Sequence, residues 1–313
     1  MSGTEAALIS VFAEAREYVR QAKAENTLRA YRADWRDFEH WCCGQGREAL
    51  PASTETVALY LTELARTRRV ATLTRRLSAI SQAHQLAGCE SPTQSATVRA
   101  VMSGIRRTKG TAAEGKKPVL VDDLKTMVDA LPGTLIGVRD RALLLVGFAG
   151  AFRRSELVSL DWHDIEFQTE GLTITLRRSK TDQEGQGRKV GIPYGRQSSH
   201  CPVRALEAWR AAAGNDHGPV FVPIDRHQNI GLRRLSDKAV ARIVKRTLPR
   251  DTHDAAQYAG HSLRAGLATA AALGGASERA IMNQTGHRSF ATVRRYIRNG
   301  SLFQENAAAK TGL

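Results

Sequence analysis

Tyr296 is the residue around which chemically active side chains gather in this sequence. It lies nine residues after His287, and Arg294 and Arg295 directly precede it. An activated tyrosine phenol is a nucleophile that forms covalent esters. Because a phosphate ester carries negative charge, the neighbouring arginines suit a phosphodiester substrate better than a neutral one.

Two earlier segments supply further side chains of the same kind. His261 and Arg264 lie three residues apart, so one face of a helix would carry both. Arg153 follows an apolar run, and Glu156 is placed one helical turn later to pair with its guanidinium. Guanidinium forks bind phosphate oxygens, and imidazoles exchange protons near neutral pH. This set of side chains favours attack on a phosphodiester without a metal ion.

Each of these signals has a plain structural alternative. A His-x-x-Arg pair is common in helices, and Arg153 with Glu156 could be a simple ion pair. Tyr296 shares a helical face with Val293 and Ile297, which is typical of a core tyrosine. The order and spacing of all the signals together favour the chemical interpretation.

Composition points to a nucleic-acid partner. The chain has 313 residues, of which 42% are hydrophobic, and a formal net charge of +15. This length suits two domains with a sizeable core. The excess of positive charge favours a polyanionic partner, with nucleic acid first, although a mildly basic protein without such a partner remains the alternative.

The cysteines and the apolar segments indicate a cytoplasmic protein. Four cysteines show no metal-ligand spacing with histidine and are expected to be reduced structural thiols. Met1 leads into a polar segment, so no signal peptide is expected. The longest apolar run, residues 142–152, is too short to cross a bilayer and is expected to be a buried helix. We therefore expect no membrane partner.

Hydrophobic periodicity predicts a helical domain over residues 1–108. An apolar stripe recurs at intervals of three and four from Leu28 to Trp41, and three more helices follow, near residues 57–66, 72–88 and 95–107. Leu77, Ile80, His84 and Leu86 are the inner candidates of the third helix. Residues 109–117 combine small, charged and helix-breaking residues, which predicts a linker.

Residues 118–313 are predicted to form a second domain of helices and a small sheet. Helices are expected at 121–131, 138–149 and 155–160. Alternating patterns predict strands at 165–167, 172–176 and 188–192, and the remainder is expected to be mainly helical. The predicted fold class is mainly α with a small antiparallel β-sheet (α+β).

The motifs resemble those of the tyrosine recombinase (phage integrase) family, and the Cre-like site-specific recombinases in particular. The resemblance covers nearly the whole chain and implies a helical core-binding (SAM-like) domain followed by a tyrosine recombinase catalytic domain. The family pattern assigns a catalytic role to seven residues: Arg153, Glu156, Lys180, His261, Arg264, His287 and Tyr296.

Three features of the motifs depart from that pattern or leave a choice. Arg154 stands where the family usually has an apolar residue, and the Ser155-Glu156-Leu157 register favours Arg153 as the catalytic arginine. Thr285 replaces the usual leucine, a change that we expect to have no consequence. The hairpin offers several candidates for the catalytic cation, of which Lys180 fits best: Arg177, Arg178, Lys180, Arg188 and Lys189.

The resemblance implies DNA cleavage through a covalent 3′-phosphotyrosine, followed by strand exchange through a Holliday junction. It implies a homotetramer on double-stranded recombination sites, with no metal, ATP or other cofactor. Arg75, Arg76 and Lys238 are candidate DNA contacts. The alternatives are a type IB topoisomerase-like enzyme that nicks and reseals one duplex, and a catalytically inactive DNA-binding accessory protein.

Overall fold

The computed structural model describes residues 25–111, 115–177, 187–249 and 254–287, together with positions 289, 290, 293, 294, 296 and 311. The chain divides into two compact units, Met1–Glu114 and Gly115–Leu313. This division falls inside the predicted linker, 109–117. The exact domain limits given above stay predictions.

The described part of the first unit is helical. Its helices are α1 (Glu25–Gly44), α2 (Thr54–Thr67), α3 (Val70–Leu86) and α4 (Ala96–Lys109). Ser53 and Ser95 begin α2 and α4, because each serine side chain accepts a hydrogen bond from a backbone N–H in the first turn. The apolar faces of the helices enclose a core built around Phe38, Tyr60 and Leu61.

Helix α3 buries two of the predicted inner residues and exposes a third. Ile80 and His84 are buried as predicted, and His84 Nε2 accepts the Ala52 N–H at 2.9 Å. Leu86 was predicted to face inward but is 72% exposed. It follows Leu77 by nine residues, which at about 100° per residue places it on the opposite side of the helix.

The second unit combines helices with one sheet, which confirms the predicted fold class. Its helices are α5 (Val121–Asp129), α6 (Leu135–Ala149), α7 (Arg154–Ser159), α8 (Pro202–Ala213), α9 (Asp237–Thr247), α10 (His261–Leu273) and α11 (Glu278–Thr285). Its strands are β1 (Ile165–Gln168), β2 (Gly171–Leu176) and β3 (Arg188–Pro193).

The sheet is antiparallel with the order β1-β2-β3. Ile174 on β2 lies opposite both Ile165 on β1 and Val190 on β3. All three side chains are buried, so one face of the sheet contributes to the main core. Lys180 lies in the sequence between β2 and β3, among residues 178–186, which are outside the described residues.

Helix α6 is the central element of the second unit. All of its residues from Ala142 to Gly147 are buried, as expected for the apolar run found in the sequence. Helix α10 packs against it, and Gly266 of α10 permits the close approach of a different segment, the one that precedes α5. A methyl group at that position would lie 1.9 Å from the Val119 carbonyl oxygen. The N-terminal ends of α7 and α10 carry four of the candidate catalytic residues, Arg153 and Glu156 at α7 and His261 and Arg264 at α10.

Among the described residues, no helix has both the length and the apolar character needed to cross a membrane.

Candidate active site

Arg153 lies at the N-terminal end of α7 and is held there by Glu156. The Glu156 carboxylate accepts the Arg153 backbone N–H at 2.9 Å and also receives the Arg153 guanidinium. Glu156 therefore caps the helix and fixes the arginine side chain with one carboxylate. The Arg153 side chain keeps 17% of its surface exposed, whereas that of Glu156 is 3% exposed. This geometry agrees with the predicted partnership.

Ala151 joins the end of α6 to Arg153 in an unusual backbone conformation. Its φ is 49°, in the left-handed region that residues with a side chain rarely adopt, and it is buried. Its carbonyl oxygen accepts a hydrogen bond of 2.8 Å from Arg264 Nη1. The strained turn thus ties the segment of one predicted arginine to the guanidinium of the other.

Helix α10 begins at His261 and buries Arg264 one turn later. His261 stands at the exposed edge of the site, whereas Arg264 has no exposed surface. Burial, above all, and the neighbouring charge of Arg153 lower the pKa of Arg264 to about 10. The two arginines therefore form one concentrated positive centre.

Tyr296 is hydrogen-bonded to His261, with its hydroxyl oxygen 2.7 Å from Nε2. Its ring also lies near that of His287, the two centroids being 5.9 Å apart. The structure thus brings Tyr296, His261, His287, Arg264 and Arg153 into one cluster, as the spacing predicted. Lys180 lies outside the described residues.

His287 follows the C-terminal turn of α11. Gly286 adopts φ 64°, which ends the helix and brings the following residue to the cluster. The Nε2 atom of His287 lies 3.0 Å from Arg264 Nη2, and Nδ1 lies 2.7 Å from Thr285 Oγ1. Thr285 therefore has a consequence that the sequence analysis did not expect, since it contacts a catalytic candidate directly.

Both histidines are held in the neutral form. Burial lowers the pKa of His287 to about 3, and the charges of Arg264 and Arg153 act in the same direction. The pKa of His261 is also lowered, because protein atoms desolvate its imidazole and the same two arginines repel a proton. The effect reaches His261 although its side chain is partly open to solvent. A neutral His261 is able to accept the phenol proton.

Arg188 is also part of this site. The sequence offered it only as an alternative to Lys180 for the catalytic cation. It begins β3, and its Nη1 donates to the carbonyl oxygen of Gln284 at 3.2 Å. Burial is the main cause that lowers its pKa; the charge of Arg153 acts in the same direction, and that of Glu156 opposes it. Its Nε and Nη2 atoms are buried without a hydrogen-bond partner among the described residues. The sequence signal was a basic residue at the base of the hairpin.

Gln284 connects three segments of the site. Its side-chain amide donates to the carbonyl oxygens of Ala149, at the end of α6, and of Gly191, on β3, at 2.8 and 3.1 Å. Together with the Arg188 bond, it fastens the end of α11 to the base of the hairpin and to the turn that leads to Arg153.

Comparison with known proteins places this site in a family. Residues 118–301 match the phage integrase family, and residues 16–90 match the phage integrase N-terminal SAM-like domain. The chain belongs to the phage integrase family. The expectation drawn from the motifs, a tyrosine recombinase, is thereby confirmed.

Two relatives show which tyrosine recombinases this chain is similar to. The integrase/recombinase XerD homolog of Selenomonas ruminantium is 44% identical over 298 residues, covering 94% of this chain and 87% of that protein. Recombinase Cre of Escherichia phage P1 is 26% identical over 302 residues, covering 90% and 86%. The more specific expectation of a Cre-like member stays a prediction.

A solved structure supports the fold. The Tn1549 transposon integrase in complex with transposon right-end DNA superposes with a TM-score of 0.62 at 13% identity, covering 97% of this chain and 98% of that one. At this identity the likeness concerns the fold alone.

Two predicted DNA contacts, Arg75 and Arg76, lie in an ion-pair network of the first unit. Arg75 makes two hydrogen bonds to the buried carboxylate of Asp34, at 2.6 and 2.9 Å, and about half of its side chain is exposed. Arg76 is buried, where it pairs with Asp37 and donates to the Tyr60 hydroxyl at 2.6 Å. A direct DNA contact by Arg76 would require breaking these bonds, so its place in the structure is that of a core arginine.

Two further features are Lys238, the third predicted DNA contact, and a small acidic cluster. Lys238 is exposed in the first turn of α9, a position open to a partner. Asp161, His163 and Asp164 come close enough to share a cation. Arg234 and Arg177 already pair with the two carboxylates, at 2.8 Å each. We assign no metal site to this cluster.

Proposed function

We propose that this chain is a site-specific DNA recombinase that cleaves and rejoins double-stranded DNA through a covalent 3′-phosphotyrosine at Tyr296. The single observation that carries the proposal is the 2.7 Å hydrogen bond between the Tyr296 hydroxyl and His261 Nε2. It places a nucleophile beside a proton acceptor within a cluster of arginines. Family membership supports the recombinase class, and the covalent step is our inference from this geometry.

The first step is proton transfer from Tyr296. A free phenol loses its proton only near pH 10, so the attack at neutral pH needs a base. His261 is neutral because its pKa is lowered, and its Nε2 already faces the hydroxyl. The phenol proton passes to His261 as the oxygen attacks phosphorus.

The arginines stabilise the charge that develops on the phosphate. Arg153 and Arg264 present guanidinium forks, and their charge persists at working pH. Arg264 has no exposed surface in this state, so its contact with a phosphate requires the side chains around it to move. The donor role implied for His287 stays a prediction, because its Nε2 faces Arg264 here.

Lys180 is proposed to protonate the leaving 5′ oxygen, since an alkoxide departs poorly without a proton. Breakage of the P–O5′ bond then leaves a phosphotyrosine and a free 5′ hydroxyl. The new ester conserves the energy of the old one, so attack by a second 5′ hydroxyl reverses the step. We infer that no ATP and no metal ion are consumed.

Strand exchange between two sites requires four cuts, and each chain supplies one Tyr296. We therefore propose a homotetramer on paired sites that acts through a Holliday junction. The C-terminal residues beyond Gly300 contain Leu302, Phe303 and Ala307 to Ala309, and we propose that they dock on a neighbouring chain. This segment lies outside the described residues, apart from position 311.

The test uses a suicide DNA substrate that traps the covalent complex on a denaturing gel. Wild-type protein should form the adduct, and Tyr296→Phe should bind the same DNA without forming it. Tyr194→Phe, which removes a phenol from an exposed tyrosine away from the cluster, is the control and should behave as wild type. An adduct that persists in Tyr296→Phe would place the nucleophile elsewhere.

Two further outcomes separate the alternative functions. Wild-type protein that binds the site and forms no adduct would indicate an accessory DNA-binding protein. Relaxation of supercoiled DNA without resolution of a synthetic Holliday junction would indicate a type IB topoisomerase-like enzyme.

A further inference from the structure

Thr285 makes two short contacts through one hydroxyl at the end of α11. The residue is fully buried. Its Oγ1 lies 2.6 Å from the carbonyl oxygen of Ile281 and 2.7 Å from Nδ1 of His287. Because the hydroxyl carries a single proton, it donates to only one of these two atoms.

The protons of this chain of contacts can be assigned by elimination. The Ile281 carbonyl oxygen is able only to accept, and two oxygens 2.6 Å apart need a proton between them. The Thr285 hydroxyl therefore donates to Ile281, and its lone pair faces Nδ1 of His287. A lone pair at 2.7 Å requires Nδ1 to carry the imidazole proton. In a neutral imidazole, Nε2 is then an acceptor.

We propose that Thr285 is a positioning residue that fixes the proton of His287 on Nδ1 and thereby directs the Nε2 lone pair toward Arg264. The contact on the other side of the ring agrees, because Arg264 Nη2 is a donor and lies 3.0 Å from Nε2. The opposite tautomer would place two donors face to face there.

The neutral charge state that this assignment needs is the one that the surroundings favour. Burial and the charges of Arg264 and Arg153 hold the pKa of His287 far below neutral pH, at about 3. The imidazole is thus a fixed, neutral link between a threonine and a buried guanidinium. His287 binds Nη2 of Arg264, and the Ala151 carbonyl oxygen accepts a hydrogen bond from Nη1 at 2.8 Å.

The functional consequence rests on the function proposed above. If Arg264 is to meet the scissile phosphate, its guanidinium must keep one orientation within a site where each misplaced donor slows the reaction. Thr285 acts on that orientation through His287, without touching the reacting atoms. The DNA-free enzyme therefore uses His287 as an acceptor for Arg264 rather than as a phosphate donor.

The direct test is the position of the His287 proton, measured by long-range ¹H–¹⁵N correlation spectra of labelled full-length protein at neutral pH. The wild-type spectrum should show Nδ1–H, with assignment by loss of the signals in His287→Gln. Thr285→Val keeps the shape of the side chain and removes the partner of Nδ1–H, so that only Arg264 still favours this tautomer, and a fraction of Nε2–H should appear in the spectrum. Thr285→Ser retains the hydroxyl and should keep the wild-type pattern.

Thr247→Val is the matched control. Thr247 is also a buried threonine at the end of a helix, and its Oγ1 donates to the Ile243 carbonyl oxygen four residues earlier, at 2.9 Å. It contacts no histidine through any hydrogen bond found among the described residues. Its valine variant should leave the His287 proton on Nδ1. A wild-type proton on Nε2 would overturn the assignment. A Thr285→Val protein with an unchanged His287 spectrum would show that Arg264 alone fixes the tautomer and would overturn the role of Thr285.

Covalent cleavage gives the second readout. Thr285→Val should form the DNA adduct about tenfold more slowly with unchanged DNA affinity, in line with the loss of one buried hydrogen bond. Thr285→Ser and Thr247→Val should cleave at the wild-type rate. Wild-type cleavage by Thr285→Val would remove the positioning role. Absence of an adduct from wild-type protein would instead contradict the proposed function, and the tautomer result would stand independently.

Discussion

Arg153→Ala should slow DNA cleavage far more than Arg154→Ala. The two adjacent arginines differ in their surroundings. Arg153 is paired with a buried carboxylate in the active-site cluster, whereas Arg154 pairs with Asp237 at 3.1 Å with half of its side chain exposed. Removing a charged donor from a site that stabilises a developing anion costs about 10²- to 10³-fold in rate. Loss of an exposed ion pair changes stability by less than about 1 kcal/mol.

The same substitution has a predictable effect on stability. The carboxylate of Glu156 is 3% exposed, and in Arg153→Ala it keeps the backbone N–H of residue 153 as a partner but loses the guanidinium. A buried ion pair that loses one member costs about 3 to 5 kcal/mol, and the remaining N–H and the nearby charge of Arg188 reduce this to about 2 kcal/mol. Arg153→Lys restores the charge without the fork and should recover part of the stability.

The assay is single-turnover cleavage of the suicide substrate, run well below the unfolding transition of each variant. Circular dichroism establishes that Arg153→Ala is folded under these conditions, and thermal unfolding measures its loss of stability. Equal cleavage defects in Arg153→Ala and Arg154→Ala, both folded, would refute the assigned register. So would a severe defect in Arg154→Ala alone.

Four further outcomes are expected. Lys180→Ala should be rescued by a substrate with sulfur at the scissile 5′ position, because thiolate leaves without a proton; rescue of His261→Ala instead would mean that the acid is misassigned. Because the pKa of His261 is lowered from 6.5, the cleavage rate should be constant above pH 6.5 and fall only at lower pH. The free energy of unfolding should also decrease as the pH drops below 6.5, because the unfolded chain takes up the proton at a higher pH than the folded one. Gly266→Ala should destabilise the second unit by about 3 kcal/mol in chemical unfolding, since its methyl group meets a backbone oxygen, whereas Gly104→Ala, with open space around it, should stabilise the first unit by about 1 kcal/mol. Truncation after Gly300 should preserve binding by a single chain and reduce recombination of a two-site plasmid; recombination at the full rate would contradict tail docking.

The sequence was sufficient for the elements and for the central cluster. Helical period, capping serines and alternating strands depend on local interactions, so α2, α4 and the three strands lie close to their predicted positions. The cluster of Tyr296 with His261 was accessible because the spacing of these residues matches a family pattern.

What the sequence did not reveal are contacts between distant segments. Periodicity indicates that a residue faces inward, but it does not identify the partner that it meets there. Arg76 looked like a surface cation, and only the fold shows that Asp34 and Asp37 enclose it. Thr285 looked like a neutral replacement, because its contact with His287 depends on where the end of α11 places that histidine. In the same way, the burial of Arg188 follows from the pairing of β3 and α11.

The hydrogen bonds that reach back from the end of the second unit have a consequence for how the enzyme is made. Arg264 is bonded to Ala151, and Gln284 to Ala149, partners more than a hundred residues earlier in the chain. A ribosome therefore completes most of the second unit before the cleavage centre is able to form, and a prematurely terminated chain lacks the nucleophile together with the residues that hold the arginines. Unfinished copies of the chain therefore lack the means to cut DNA.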